Sequence, residues 1–97
     1  MSEEMARVHI RVRGRVQGVG FRAFVATEAQ RMGLRGWVRN VGWDQVEAVA
    51  EGPRPLLERL VEQMRTGPLG ARVEEQQVEW ETWEGNFQGF EIRRSWG

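Results

Sequence analysis

The chain has 97 residues, a net charge of zero at neutral pH and no cysteine. This length fits one domain spanning 1–97, and the missing cysteine excludes disulfides and thiolate metal sites. A balanced charge argues against a dedicated nucleic-acid binder, which usually carries a strong basic bias. Residues 1–5 are acidic, and no segment has the apolar length of a signal peptide or a membrane span. We therefore expect a soluble, cytoplasmic protein that binds neither nucleic acid nor membrane.

The first third of the chain predicts a strand, a glycine-rich loop and a helix. Residues 7–13 alternate apolar and polar side chains, which is typical of a strand in a sheet covered on one face only. Three glycines follow within the segment 14–20. Apolar side chains then recur at helical spacing over 21–32, and Gly33 is a favourable residue to end that helix.

The rest of the chain predicts three strands around a second helix, and a final short strand. Strands are expected over 35–41 and 46–51, joined by a turn, and over about 72–81. Pro53 and Pro55 open the second helix, because proline is tolerated in a first turn, and the segment 67–70 stops it.

The predicted order of elements is β-α-β-β-α-β. Phe90 and Ile92 add either a short extra terminal strand or the second half of a split fourth one. This order predicts an α+β fold, the ferredoxin-like sandwich, with an antiparallel sheet and both helices on one face.

The segment from Gly14 to Arg22 has the composition of an anion-binding loop. Its three glycines let the backbone take positive φ angles and turn its N–H groups toward one point. The helix that follows adds N–H groups without intrahelical partners and the positive end of its dipole. Arg22, in the first turn, offers a planar fork of donors suited to a doubly charged oxyanion. Together these features predict a phosphate cradle.

The predicted cradle lacks the reactive residues of other phosphate sites. Nucleotide-binding loops place a lysine after the last glycine, whereas this chain contains no lysine, and its one aspartate is Asp44. Cysteine-dependent phosphatases carry their nucleophile six positions before the arginine, where this chain has Val16. Because no side chain in 14–22 can form a covalent phosphoenzyme, water must be the nucleophile of any hydrolysis. We expect neither a metal nor another cofactor.

Two motifs carry a resemblance to a known family. Residues 14–22 match the pattern G-R-V-Q-G-V-x-[FY]-R throughout, and residues 36–40 match G-x-V-x-N. The chain resembles the acylphosphatase family in these motifs, and the resemblance extends over nearly the whole chain through Val46-Glu47, Glu51-Gly52, Phe87 and Gly89-Phe90-Glu91-Ile92-Arg93. One departure is the turn after the second motif, where the family usually has Asp-Gly and this chain has Trp43-Asp44-Gln45.

The resemblance implies a metal-free, monomeric hydrolase of small-molecule acyl phosphates that releases a carboxylate and inorganic phosphate. Asn40 would position the attacking water through its side-chain amide. Arg22 would bind the phosphoryl group together with the backbone N–H groups of the loop, which are those of Arg15, Val16, Gln17, Gly18, Val19 and Gly20. A carboxylate leaving group needs no protonation at neutral pH, so the site can dispense with a strong general acid.

Three alternative interpretations of the sequence assign the protein, or the residues Arg22 and Asn40, a different role. An RNA-binding domain could use the open sheet face through Arg7, Arg11, Arg13, Arg35, Trp37 and Arg39, although Glu47, Glu51 and Glu79 would neutralise it. A phosphate-sensing domain of the same fold would have lost its activity, against which the intact Arg22 and Asn40 argue. In a purely structural interpretation, Arg22 forms a surface ion pair with Glu28 or with a chain terminus, and Asn40 is a turn residue.

Overall fold

The computed structural model describes residues 4–94 and contains every predicted element. The elements are β1 (Met5–Arg15), α1 (Phe21–Arg31), β2 (Arg35–Val41), β3 (Gln45–Pro53), α2 (Arg54–Thr66), β4 (Arg72–Glu81) and β5 (Phe90–Ile92). The first and third strands extend further at both ends than the alternation predicted, since pairing on both sides of each strand continues past the apolar positions.

The strands form one sheet in the order β4-β1-β3-β2-β5. The first four strands pair antiparallel, as expected for a ferredoxin-like sandwich. The prediction of a wholly antiparallel sheet is wrong at one edge, because β5 runs parallel to β2, with Glu91 beside Trp37. The physical reason is the long connection after β4, which carries the chain to the opposite edge. The last segment is therefore an extra terminal strand and not half of a split fourth one.

Both helices cover one face of the sheet and form the core with it. The alternation in β1 places Val8, Ile10 and Val12 on this face with no exposed surface. The helices contribute side chains at spacings of three and four residues, which are Phe21, Val25 and Ala29 from α1 and Leu57, Leu60, Val61 and Met64 from α2. Full burial of a large apolar side chain contributes about 1.5–3 kcal/mol each, so this face supplies most of the driving force for folding.

The other face of the sheet is polar and is crossed by residues 82–89, which we call the strap. The strap connects β4 and β5 at opposite edges of the sheet. The buried Glu51 carboxylate accepts hydrogen bonds from the backbone N–H groups of Glu84 and Gly85 at 2.9 and 3.0 Å. The Arg7 guanidinium lies 5.1 Å from the centre of the Phe87 ring. The strap therefore crosses near the start of β1, at one end of the sheet.

The sheet order brings the ends of β1 and β2 together at the other end. Both strands run antiparallel to β3, which lies between them, so they point in the same direction. Val46 in β3 pairs with Val12 on one side and with Asn40 on the other. Asn40 is therefore level with Val12, near the end of β1, at the end of the sheet where the loop 16–20 follows that strand.

Candidate active site

The loop that follows β1 presents backbone N–H groups at the start of α1. Gly18 and Gly20 have φ angles of 75° and 76°, which glycine adopts without strain. Gly20 is the N-cap residue, and its carbonyl accepts the N–H of Phe24 at 3.0 Å. The N–H groups of residues 21–23 therefore precede the first intrahelical hydrogen bond and remain available to a ligand. No acidic residue occupies this first turn, so the helix end keeps its positive potential.

A cavity of about 260 Å³ opens beside this loop. Its lining combines the glycine-rich loop, the first turn of α1, the end of β2 and β5, in the residues Val16, Gln17, Gly18, Gly20, Phe21, Arg22, Ala23, Asn40 and Ile92. The two residues predicted to act in catalysis, Arg22 and Asn40, thus line the same cavity. They come together because β1 and β2 flank β3, run antiparallel to it and therefore point in the same direction.

Arg22 does not form the ion pair with Glu28 that was considered as its structural alternative, and both chain termini, the other partners considered, lie outside the described residues. Among residues 4–94, no carboxylate pairs with its half-buried guanidinium. Glu28 instead accepts a hydrogen bond from Gln63 Nε2 at 2.8 Å and pairs with Arg31 at 3.1 Å. The guanidinium of Arg22 is thus available to an anion in the cavity.

Asn40 is not the turn residue considered as its structural alternative. It lies within β2 and pairs with Val46. Within the described part of the chain, its side-chain amide makes no hydrogen bond to another residue. The amide therefore keeps one donor group and one acceptor oxygen for a ligand or a water in the cavity.

The other predicted site residues divide into two groups. Gly18 and Gly20 line the cavity through their backbone, and Val16 also borders it although its side chain is only 1% exposed and belongs to the core. Arg15 and Val19 do not line it. Arg15 borders a separate cavity of about 400 Å³, and Val19 packs against the core, so only their backbone N–H groups remain candidates for an anion.

Two features of the cavity were not predicted from the sequence. Ile92, which is 49% exposed, supplies an apolar wall from β5. The side chain of Gln17 points to the β2–β3 turn and donates to the backbone there. The family pattern contains the glutamine, but its contacts depend on a hairpin far along the chain. Placing Ile92 in the cavity wall would have required knowing that β5 pairs with β2.

The polar face holds a second set of charges, centred on Glu47, which is 5% exposed. His9 Nε2 lies 2.5 Å from Glu47 Oε2, and the Arg39 guanidinium lies 2.8 Å from Oε1. Burial raises the pKa of Glu47, but the hydrogen bonds from His9 and Arg39 and the charge of Arg39 outweigh it and hold the pKa below its ordinary value. Arg11 adds a further contact at 3.3 Å.

The residues of the RNA-binding alternative are engaged within the protein. Arg7 pairs with Glu51, and Arg35 donates to the Phe87 carbonyl oxygen. Trp37 is 9% exposed and lies near the guanidinium groups of Arg39 and Arg93, at 4.7 and 4.9 Å from the ring centre. Glu47 and Glu51 pair with arginines of this face as predicted, whereas Glu79 forms no ion pair among residues 4–94.

The described residues contain no group of three His, Asp or Glu side chains placed to hold a metal ion. No helix within 4–94 is long and apolar enough to cross a membrane.

The comparisons with known proteins agree with one another. The acylphosphatase family model matches residues 8–92. An acylphosphatase of Pyrobaculum arsenaticum is 52% identical over 90 residues, which cover 92% of this chain and 95% of that protein. One from an Anaeromyxobacter species is 51% identical over 90 residues, covering 93% of this chain and 97% of the other. The crystal structure of acylphosphatase from Bacillus subtilis superposes with a TM-score of 0.86 at 39% identity, covering 91% of this chain and 98% of that one. The chain therefore belongs to the acylphosphatase family.

Proposed function

We propose that this chain hydrolyses acyl phosphates by direct attack of water, without a metal ion, in the cavity lined by Arg22 and Asn40. Hydrolysis of acyl phosphates is the activity of the acylphosphatase family, to which the chain belongs. The assignment of the reaction to this cavity rests on one observation, which is that three features lie together in its lining. They are the Arg22 guanidinium and the Asn40 amide, neither of which has a side-chain partner within 4–94, and the N–H groups that precede the first hydrogen bond of α1.

The phosphoryl group would be bound by Arg22 and by the backbone N–H groups of 15–20. Phosphoryl transfer requires little covalent help from a protein, and stabilisation of the equatorial oxygens supplies most of the catalysis. A guanidinium, oriented N–H groups and a helix N-terminus provide that stabilisation at one point. Because these groups are held by the fold before the substrate arrives, they need no reorganisation in the transition state.

Asn40 would orient the attacking water. Its amide oxygen accepts a hydrogen bond from the water and its NH₂ group donates one, so two contacts fix the position of the nucleophile. An amide is not a base at neutral pH, and its contribution is orientation. The carboxylate leaving group departs with the electron pair of the broken P–O bond and needs no proton. The cavity accordingly needs no general acid, and the described residues that line it include no carboxyl or imidazole side chain.

The absence of a metal in this mechanism is supported by the same lining. Carboxylates and imidazoles are the side chains that hold catalytic metal ions, and none borders the cavity among the described residues. We also propose that the chain acts as a cytoplasmic monomer on a small molecule and binds no nucleic acid. The pairing of the polar-face arginines with Glu47 and Glu51 supports the last point.

The first test is the hydrolysis of benzoyl phosphate in the presence of excess chelator. We expect Arg22→Ala to weaken phosphate binding and to lower turnover by a factor of about 10²–10³, because a positioned donor is lost. Asn40→Ala should lose turnover but still bind phosphate. Phosphate binding is measured as protection against heat, since a ligand of the native state raises the Tm. Arg31→Ala is the matched control, because Arg31 lies at the far end of the same helix.

Two results would count against the proposal. Equal phosphate protection of the Arg22→Ala and Asn40→Ala variants would contradict the division of roles between them. Activity that disappears with chelator and returns with added magnesium would contradict a metal-free reaction.

A further inference from the structure

The side chain of Gln17 links the phosphate loop to the end of β2. Its Nε2 atom lies 3.3 Å from the carbonyl oxygen of Val41, 3.1 Å from that of Gly42 and 3.0 Å from that of Gln45. These carbonyls belong to the two sides of the β2–β3 turn. One NH₂ group thus lies within hydrogen-bonding distance of three backbone acceptors where the hairpin changes direction, and its two hydrogens are shared among them.

No other described side chain within 15–20 makes a hydrogen bond to the rest of the protein. The nearest further link between the two segments is a backbone hydrogen bond from the N–H of Gly14 to the carbonyl of Asp44, at 2.9 Å. That bond holds the end of β1, before the loop begins. Core packing of Val16 and Val19 holds the loop to the body of the protein, and Gln17 fixes it to the hairpin by hydrogen bonds.

The residue next to Asn40 is one of the acceptors. Val41 follows Asn40 directly in β2, so the hydrogen bonds of Gln17 join the cradle to the strand end that carries the predicted water-positioning amide. Water attack requires the oxygen and the phosphorus to approach within about 3–3.5 Å in line, and a misplacement of about 1 Å can lower the rate about 10²-fold. The distance between the cradle and Asn40 is therefore a determinant of turnover.

We infer that Gln17 is a positioning residue that holds the phosphate cradle at a fixed distance from Asn40. This inference rests on the proposed function, in which the cradle holds phosphate and Asn40 holds water. The backbone N–H of Gln17 remains part of the cradle. Its side chain acts on the reaction through the alignment of two other groups and does not touch the substrate.

The test compares Gln17→Met with Gln76→Met. Methionine has a similar length to glutamine and lacks the amide donors. Gln76 provides the matched control because its Nε2 also donates to a backbone carbonyl, that of Val61 at 2.9 Å, and it lies outside the cavity. We measure kcat, KM and the inhibition constant of inorganic phosphate for both variants with benzoyl phosphate.

We expect Gln17→Met to lower kcat by a factor of about 10–100 while phosphate inhibition changes less than about twofold. Gln17→Glu should also lower kcat, since a carboxylate cannot donate to the carbonyls, but its negative charge beside the cavity should weaken phosphate inhibition as well, so only the methionine variant separates the two effects. Gln76→Met should leave both constants unchanged. A simple loss of structure would not separate kcat from phosphate affinity in this way.

Three outcomes would overturn the inference. An unchanged kcat in Gln17→Met would remove the alignment role, and a parallel loss of kcat and phosphate affinity would place the side chain in binding. A Tm more than about 8 °C below that of Gln76→Met, or failure to fold, would assign Gln17 to stability. Failure of the proposed function is recognised separately, because Asn40→Ala would then keep its turnover.

Discussion

Glu47 is a carboxylate that the fold keeps charged although it is almost fully buried. Burial raises its pKa by removing solvent, while hydrogen bonds from His9 and Arg39 favour the charged form and prevail. The pKa in the folded protein therefore lies below the ordinary value of 4.5. A group with a lowered folded-state pKa stabilises the protein above its unfolded-state value, and this stabilisation is lost as the pH falls through the folded-state value.

We therefore expect Glu47→Gln to reduce the free energy of unfolding by about 1–3 kcal/mol at pH 7, because charge-assisted hydrogen bonds are lost. The variant should also lose less stability than the wild type between about pH 5 and pH 3. Urea denaturation at several pH values measures both effects. Glu75→Gln is the control, since the ion pair of Glu75 with Arg13 is exposed and should contribute less than about 1 kcal/mol. Parallel pH profiles for Glu47→Gln and the wild type would refute this account.

The sequence predicted the residues of the cavity whose role is local. Positive φ angles at glycines and the helix start at residue 21 depend on neighbours within a few positions, so the conformation of this loop could be predicted before the fold was known. Ile92 could not, because its place depends on which strand β5 joins. The burial of Glu47 was also unpredictable, since alternation places it on the polar face and only the surrounding side chains cover it.

At the scale of elements, α1 has a glycine in the left-handed conformation at each end. Gly20 precedes the helix with a φ of 76°, and Gly33 follows it with a φ of 71°. A Cβ atom added to either residue would meet no atom within 4 Å. A side chain at either position would therefore strain the backbone in the same way and would clash with no neighbouring atom. They differ in that only Gly20 lines the cavity.

Substitution of these two glycines separates the effect of backbone strain on stability from an effect on phosphate binding and turnover. Gly20→Ala and Gly33→Ala should each lower the free energy of unfolding by about 1–2 kcal/mol, because alanine disfavours the left-handed conformation. Only Gly20→Ala should also weaken phosphate inhibition and turnover, since relief of the strain would reorient N–H groups of the cradle. Chemical denaturation and benzoyl phosphate kinetics on both variants provide the comparison. Equal kinetics in the two variants would show that the geometry of Gly20 is not needed for binding.

The strands and helices were predictable because their periodicity is local, and the direction of β5 was not. A strand of three residues contains too little pattern to specify its partner. Its pairing beside β2 follows from the course of the strap across the sheet. The parallel pairing of β5 with β2 is therefore determined by the path of the chain across the sheet and not by the sequence of β5 itself.

At the scale of the whole molecule, Glu51 fastens the strap to the sheet. Its carboxylate accepts the N–H groups of Glu84 and Gly85 and pairs with Arg7 at 3.4 Å. These contacts lie at the end of the sheet opposite the cavity. The anchor should therefore affect stability and leave the chemistry intact.

We expect Glu51→Gln to lower the free energy of unfolding by about 1–3 kcal/mol, since an amide offers one oxygen where the carboxylate offers two and carries no charge. The N–H groups of Glu84 and Gly85 should exchange faster with solvent, and kcat should stay at the wild-type value. Glu84→Gln serves as the comparison, because that side chain is 58% exposed in its ion pair with Arg7. Unchanged exchange at both N–H groups would refute the anchoring role.

The order of strands has a consequence for synthesis of the chain. β1 lies between β3 and β4, so the first strand to be made acquires its neighbours only when residues 45–53 and then 72–81 have followed. Among the strands of residues 4–94, only β2 and β3 are consecutive in the chain and adjacent in the sheet. Closing such long segments makes folding slow for a domain of this size. Until then Val8, Ile10 and Val12 lack the neighbouring strands that bury them, and the incomplete chain exposes apolar side chains that can associate with other chains.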